Sequence, residues 1–100
     1  ATRAGVTGAE VDAAARQVIE EAGYGAYFGH SYGHSIGMEC HEMPACSPAG
    51  KAVMVENMVS SAEPGIYIPG KFGVRIEDVV VFKKDGCENL THSPKNLIII

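Results

Sequence analysis

Between Glu63 and Asp78 the chain reads Glu-Pro-Gly-Ile-Tyr-Ile-Pro-Gly-Lys-Phe-Gly-Val-Arg-Ile-Glu-Asp. Two short runs, Ile66-Tyr67-Ile68 and Val74-Arg75-Ile76, flank the turn-rich Pro69-Gly70-Lys71-Phe72-Gly73, the signature of a β-hairpin with a longer loop. With the turn centred on Gly70, antiparallel pairing sets residue i against residue 140 − i. Tyr67 then faces Gly73, Gly65 faces Arg75 and Glu63 faces Glu77. Directly opposed residues have Cβ atoms about 4.5–5.5 Å apart, and like charges there are destabilising. Two carboxylates so placed call for a shared proton or for a divalent cation that takes an oxygen from each. A register slipped by one residue would instead send Glu77 to the other face and leave two solvated glutamates.

The rest of the chain supplies little beyond one domain's worth of structure. Its 100 residues, 46% hydrophobic and 20% charged, are ordinary for a single small globular domain spanning 1–100. A net charge of −4 with eight Lys+Arg, none clustered, argues against a nucleic-acid partner or an anionic membrane surface. Cys40, Cys46 and Cys87 are an odd number without CxxC spacing, so neither a disulfide framework nor structural zinc is expected. Three buried or half-buried thiols in a reducing cytoplasm is the economical reading. No apolar run approaches the roughly 20 residues that span a bilayer, and no signal peptide is expected. The start at Ala1, without methionine and close to a helix, suggests a processed protein or a piece of a longer one.

Thr7-Gly8-Ala9-Glu10 forms a capping box, with Val6 and Val11 at the staple positions on either side. Val11, Ala14, Ala15, Val18, Ile19 and Ala22 recur at helical spacing before Gly23 stops the helix, which is expected to lay this alanine-rich face on a sheet. From Gly25 to Pro44 the pattern changes: Gly29, Gly33 and Gly37 interleave with His30, His34 and His41. Glycines at about 1 kcal/mol each weigh against a helix here. His30 and His34 therefore do not make a helical metal pair. On an extended chain they stand about 13 Å apart and cannot share one ion.

Ser47–Glu56 reads as a linker and Asn57–Ala62 as an extended lead into the hairpin. Val79–Phe82 is expected to continue the hairpin's second strand, Cys87–Thr91 to return as a short strand, and Leu97–Ile100 to close the chain as a terminal strand. The fold class is α+β, an antiparallel sheet covered by one or two helices.

The histidines and the facing carboxylates make the chemistry. One imidazole with carboxylate oxygens suits Mn²⁺, Co²⁺, Fe²⁺ or Zn²⁺, and such an ion acidifies water and polarises a carbonyl. Remaining histidines could hold a substrate carbonyl or shuttle a proton. Arg75, two residues before Glu77 on the same face, could neutralise surplus negative charge; otherwise it makes a surface ion pair of little worth.

At these residues a resemblance stands out. His30-Ser31-Tyr32-Gly33-His34-Ser35-Ile36-Gly37-Met38-Glu39-Cys40-His41-Glu42-Met43-Pro44 resembles the H-x-x-G-H-x-x-G-x-x-x-H-E-x-P segment of Xaa-Pro peptidases. Glu63-Pro64-Gly65-Ile66-Tyr67 and Val74-Arg75-Ile76-Glu77-Asp78 resemble their E-P-G-[IL]-Y and [IV]-R-I-E-D motifs, and the likeness runs in order over nearly the whole chain. The family is prolidase and aminopeptidase P, among the pita-bread metallopeptidases.

The resemblance implies the second, C-terminal half of a pita-bread catalytic domain. It implies hydrolysis of the bond between an N-terminal residue and proline by a dinuclear metal-activated hydroxide, with Xaa-Pro dipeptides or peptides as substrate. His34, Glu63 and Glu77 become metal ligands, Glu77 bridging two ions, Mn²⁺ before Co²⁺, Fe²⁺ or Zn²⁺. His30 and His41 become substrate-side histidines, and Arg75 supports the carboxylates. Ser31 and Ser35 stand where glycine is common, and Ser60-Ser61 where bulkier residues precede the glutamate, departures expected to affect spacing and packing. The family's two aspartate ligands lie on a hairpin that nothing here resembles. The chain alone should then bind at most one ion weakly, lack activity, and self-associate through surface that the missing N-terminal half covers. Alternatives on the same fold are a methionine aminopeptidase, a creatinase-like hydrolase, and a non-catalytic binding module.

Overall fold

The computed structural model describes all 100 residues, Ala1–Ile100. Helix α1 runs Gly8–Glu21 and is followed by a single 3₁₀ turn, Gly25–Tyr27. Seven strands follow: β1 Gly33–Ser35, β2 Glu42–Cys46, β3 Val59–Ala62, β4 Gly65–Ile68, β5 Phe72–Arg75, β6 Asp78–Lys83 and β7 Gly86–Asn89. Five of them make one antiparallel sheet in the order β2-β1-β3-β6-β7, and β4-β5 form a separate two-stranded ribbon. No helix is long and apolar enough to cross a membrane.

Local signals set the helix. The Thr7 hydroxyl accepts from the Glu10 amide (3.2 Å), and the Glu10 carboxylate accepts from the Thr7 amide (2.7 Å). Gly23, at φ 85°, takes the left-handed conformation that ends the helix. The expected stripe is only partly covered. Val11 is buried, Ala14, Ala15 and Ile19 are half-buried, and Val18 and Ala22 are exposed. The helix meets the five-stranded sheet at its first turn, where a Cβ on Gly8 would run into the Ala45 carbonyl. Val6, Val11, Cys46, Met54, Ala62, Val80 and Phe82 form the core, with Tyr32 and Met58 packed against it. Along β6 the buried positions alternate, Val80 and Phe82, as a half-covered strand requires.

The hairpin has the register its sequence predicts: Gly65↔Arg75, Ile66↔Val74, Tyr67↔Gly73 and Ile68↔Phe72. The same count from Gly70 runs on through the neighbouring ladder, Ala62↔Asp78, Ser61↔Val79, Ser60↔Val80 and Val59↔Val81. Val79–Phe82 is nevertheless no continuation of the hairpin strand. Both arms break at Glu63-Pro64 and Ile76-Glu77, and the chain passes from one sheet to the other. Pro64 has no amide proton to give to a ladder, so pairing across the break is reduced to Ile76 N–H donating to the Pro64 carbonyl at 3.4 Å.

Three further expectations change. Leu97–Ile100 forms no strand and stays exposed, because β-propensity without an adjoining edge makes no ladder. Of the three free cysteines only Cys46 is buried; Cys40 and Cys87 are exposed. Linker residue Val53 bridges to Thr7, and Met54, in the same segment, is fully buried.

Candidate metal centre

Both glutamates sit in the break between the two sheets, flanked by the paired Ala62↔Asp78 on one side and Gly65↔Arg75 on the other. Glu63 follows β3 directly, and its amide donates to the Tyr32 carbonyl (2.8 Å), which fastens it to the chain leading into β1. His34 lies at the middle of β1, so strand pairing brings it beside Glu63. His34 Nε2 stands 3.1 Å from Glu63 Oε1. His34 Nδ1 lies 3.1 Å from the Ser35 carbonyl, which can only accept, so Nδ1 carries a proton and Nε2 is the nitrogen that faces the carboxylate. Two electron pairs facing across that distance attract only with a proton or a metal ion between them.

Arg75 supplies the positive charge of the site. Its Nε is 3.7 Å from Glu63 Oε2 and 3.9 Å from Glu77 Oε2, so one guanidinium serves both carboxylates. Glu63 is 14% exposed at its side chain and Glu77 47%, which makes Glu63 the more desolvated of the two. No three His, Cys, Asp or Glu side chains converge on one point. His34 and Glu63 are together, and Glu77 is linked to them through Arg75.

His30, Ser31, Gly33, His34, Ala45, Glu63 and Arg75 line an open cleft of about 320 Å³. His30 Nδ1 donates to the Ser31 carbonyl (2.8 Å), which leaves Nε2 to accept from the Tyr67 hydroxyl (3.0 Å). His41 is exposed and does not line this cleft, but its ring centroid is 4.3 Å from that of His34. Tyr67 is held by glycine: a Cβ at either Gly65 or Gly73 would come within 2.6 Å of its side chain. The glycines flanking the tyrosine are thus needed for the ring to lie along the ribbon and reach His30.

Ser60 and Ser61 do more than set packing. Both are fully buried. The Ser61 hydroxyl accepts from the His34 amide (3.0 Å) and donates to Glu63 Oε1 (2.9 Å), binding the imidazole's backbone and the carboxylate through one oxygen. The Ser60 hydroxyl reaches the His34 and Ser61 carbonyls, both at 3.0 Å. Larger residues here would fill the space of these bonds. Gly33 explains itself similarly, since a Cβ there would run into the Ser61 carbonyl. Nothing but the small, polar character of Ser60-Ser61 just before the glutamate signals this in the sequence.

The fold thus sets His34 against Glu63 at an open cleft and links Glu63 to Glu77 through the Arg75 guanidinium. The family model for metallopeptidase family M24 matches residues 1–84. A Xaa-Pro dipeptidase of Lactobacillus delbrueckii subsp. lactis is 50% identical over 100 residues, which is 100% of this chain and 27% of that protein. The solved Xaa-Pro dipeptidase from Bacillus anthracis matches with a TM-score of 0.96 at 52% identity, over 98% of this chain and 28% of that one. The X-Pro aminopeptidase from Thermotoga maritima MSB8 matches with a TM-score of 0.94 at 52% identity, over 99% of this chain and 28% of that one. The chain belongs to metallopeptidase family M24, and it spans little more than a quarter of the length of these relatives.

Proposed function

We propose that this chain is the C-terminal part of a metallopeptidase catalytic domain that cleaves the bond between an N-terminal residue and proline, using two divalent ions. The observation that carries the reading is the His34 Nε2–Glu63 Oε1 contact of 3.1 Å, with Nδ1 turned to the Ser35 carbonyl. A cation fits between these two atoms, and imidazole with carboxylate is a donor set for Mn²⁺, with Co²⁺, Fe²⁺ or Zn²⁺ as alternatives. His34, Glu63 and Glu77 would hold the metal. When bound, it supplies Lewis acidity that polarises a carbonyl and acidifies water.

The chain's own residues do the remainder. Arg75 offsets the charge of both glutamates and keeps them near one another. Ser61 fixes the rotation of the Glu63 carboxylate. His30, with Nδ1 on the Ser31 carbonyl and Nε2 on the Tyr67 hydroxyl, lines the cleft and would turn a ring N–H to a substrate carbonyl by exchanging one of these partners, and His41 lies beside His34. Exposed Val18, Val74 and Ile76 fit a surface covered by the remainder of the domain, and in its absence the chain self-associates through them. Three free thiols accord with a cytoplasmic protein.

The test is a chimera in which this chain replaces the matching segment of the Lactobacillus Xaa-Pro dipeptidase. The folded chimera, given Mn²⁺, should hydrolyse Xaa-Pro dipeptides, and Glu63→Gln or Glu77→Gln should abolish turnover. The 100-residue chain alone should show no enzymatic turnover and at most one weak Mn²⁺ site by calorimetry. A folded, inactive chimera refutes the reading, as do two tight sites in the isolated chain.

A further inference from the structure

Two residues of helix α1 hold the loop that carries His30, and the site as described makes no use of them. Asp12 is 1% exposed. Its two oxygens accept from Arg16 Nε (2.9 Å) and Nη2 (3.1 Å), and Oδ1 also accepts from the Tyr32 amide (2.9 Å). Arg16 directs its other donors outward, Nη1 to the Phe28 carbonyl and Nη2 to the His30 carbonyl, both at 2.9 Å. The guanidinium also lies 4.2 Å from the centroid of the Phe28 ring.

An i, i+4 pair on a helix surface is worth a few tenths of a kcal/mol and has no further consequence. This pair differs in that Asp12 is buried and Arg16, half-buried, bonds to a distant loop. A covered ion pair is costly unless its hydrogen bonds are filled, and here they are filled by backbone groups of Phe28, His30 and Tyr32. The loop needs them. From Gly29 to Ser31 no backbone–backbone hydrogen bond is made. Without the pair, the only restraints on His30 would be its own side-chain contacts.

We propose that Asp12 and Arg16 are a positioning pair for His30, fixing the backbone on either side of it so that Nδ1 stays on the Ser31 carbonyl and Nε2 faces the cleft through Tyr67. Neither residue lines the His34–Glu63 cleft, although Arg16 borders a neighbouring open cavity on the far side of His30 and Ser31, and the pair's proposed action runs through the loop. Its importance for peptide cleavage rests on the substrate-side reading of His30 given above; its effect on the ring does not.

The experiment is ¹⁵N NMR of the metal-free 100-residue chain, following the His30 ring nitrogens and the exchange of the Tyr32 amide. In the unsubstituted chain His30 should be held as the single Nδ1–H tautomer. Arg16→Lys keeps the charge but loses the planar fork, so the ring should average both tautomers, and Tyr32 amide exchange should accelerate by about tenfold or more. The His92 ring, exposed and distant in sequence, is the control. Tautomer averaging in the unsubstituted chain overturns the proposal. So does an Arg16→Lys chain that retains both the tautomer and the Tyr32 protection. The first criterion needs no variant and stays decisive if Arg16→Lys does not fold. Neither readout involves metal or turnover, so an inactive chimera leaves this result standing, and a failure here leaves the peptidase reading intact.

Discussion

Removing one hydroxyl, that of Ser61, tests the architecture of the site most directly. The side chain is fully buried, and its oxygen is the acceptor for the His34 amide and a donor to the Glu63 carboxylate. In Ser61→Ala the amide loses its acceptor at a place water does not readily reach, which costs about 1–3 kcal/mol. The carboxylate, 14% exposed, can exchange its lost bond for water, so about 2 kcal/mol is the expected total. For a domain of this size that corresponds to a melting temperature lower by about 8–16 °C. Ser60→Ala is the matched comparison: it removes a donor from carbonyls and strands no amide, at about 0.5–1.5 kcal/mol. Thermal unfolding followed by circular dichroism measures both. Calorimetry should also show Mn²⁺ affinity reduced about tenfold in Ser61→Ala, as when a ligand's supporting hydrogen bond is removed. A Ser61→Ala chain within about 0.5 kcal/mol of the parent, or no less stable than Ser60→Ala, refutes the reasoning.

Two other outcomes follow from the charges and thiols. The Thr7 amide, and after it the Thr7 hydroxyl, hold the Glu10 carboxyl below its ordinary value of 4.5, so its contribution is complete above that pH and is lost as pH falls through the lower folded value. Acid titration of helical ellipticity should lose that component in Glu10→Gln. Burial raises the Cys46 thiol above its ordinary 9.0 and the Tyr32 phenol above its ordinary 10.0. Their stabilisation is therefore full below those values and lost as pH climbs through the higher folded ones. A thiol reagent at neutral pH should label Cys40 and Cys87 and spare Cys46; rapid labelling of Cys46 would contradict the burial described.

Much of this was legible in the chain. The hairpin register followed from turn residues symmetrical about Gly70, and the helix start from the Thr7–Glu10 box, since both are local rules. What stayed hidden depended on distant partners. Asp12 and Arg16 have the spacing of a solvated pair, and only the burial of Asp12 distinguishes them. Ser61 reads as a small residue in a strand until the His34 amide is found beside it. The break at Glu63-Pro64 was marked by a residue with no amide proton. An alternating pattern, however, does not say which sheet a strand joins. Val18 belongs to the apolar stripe by period yet is 67% exposed, because the period alone does not say where a covering element will lie.

The ribbon also dictates where such a chain tolerates changes in length. Both ladders count from Gly70, so residues added at the tip, within 69–71, lengthen the turn and leave the pairing of both ladders unchanged. One residue inserted in a single arm, between Glu63 and Ile68 or between Phe72 and Glu77, steps one carboxylate past the other. It also turns every side chain beyond that point to the opposite face. Among descendants of such a sequence, insertions and deletions should gather at the tip or occur as matched pairs in the two arms. The arms themselves would vary in composition while keeping their residue count.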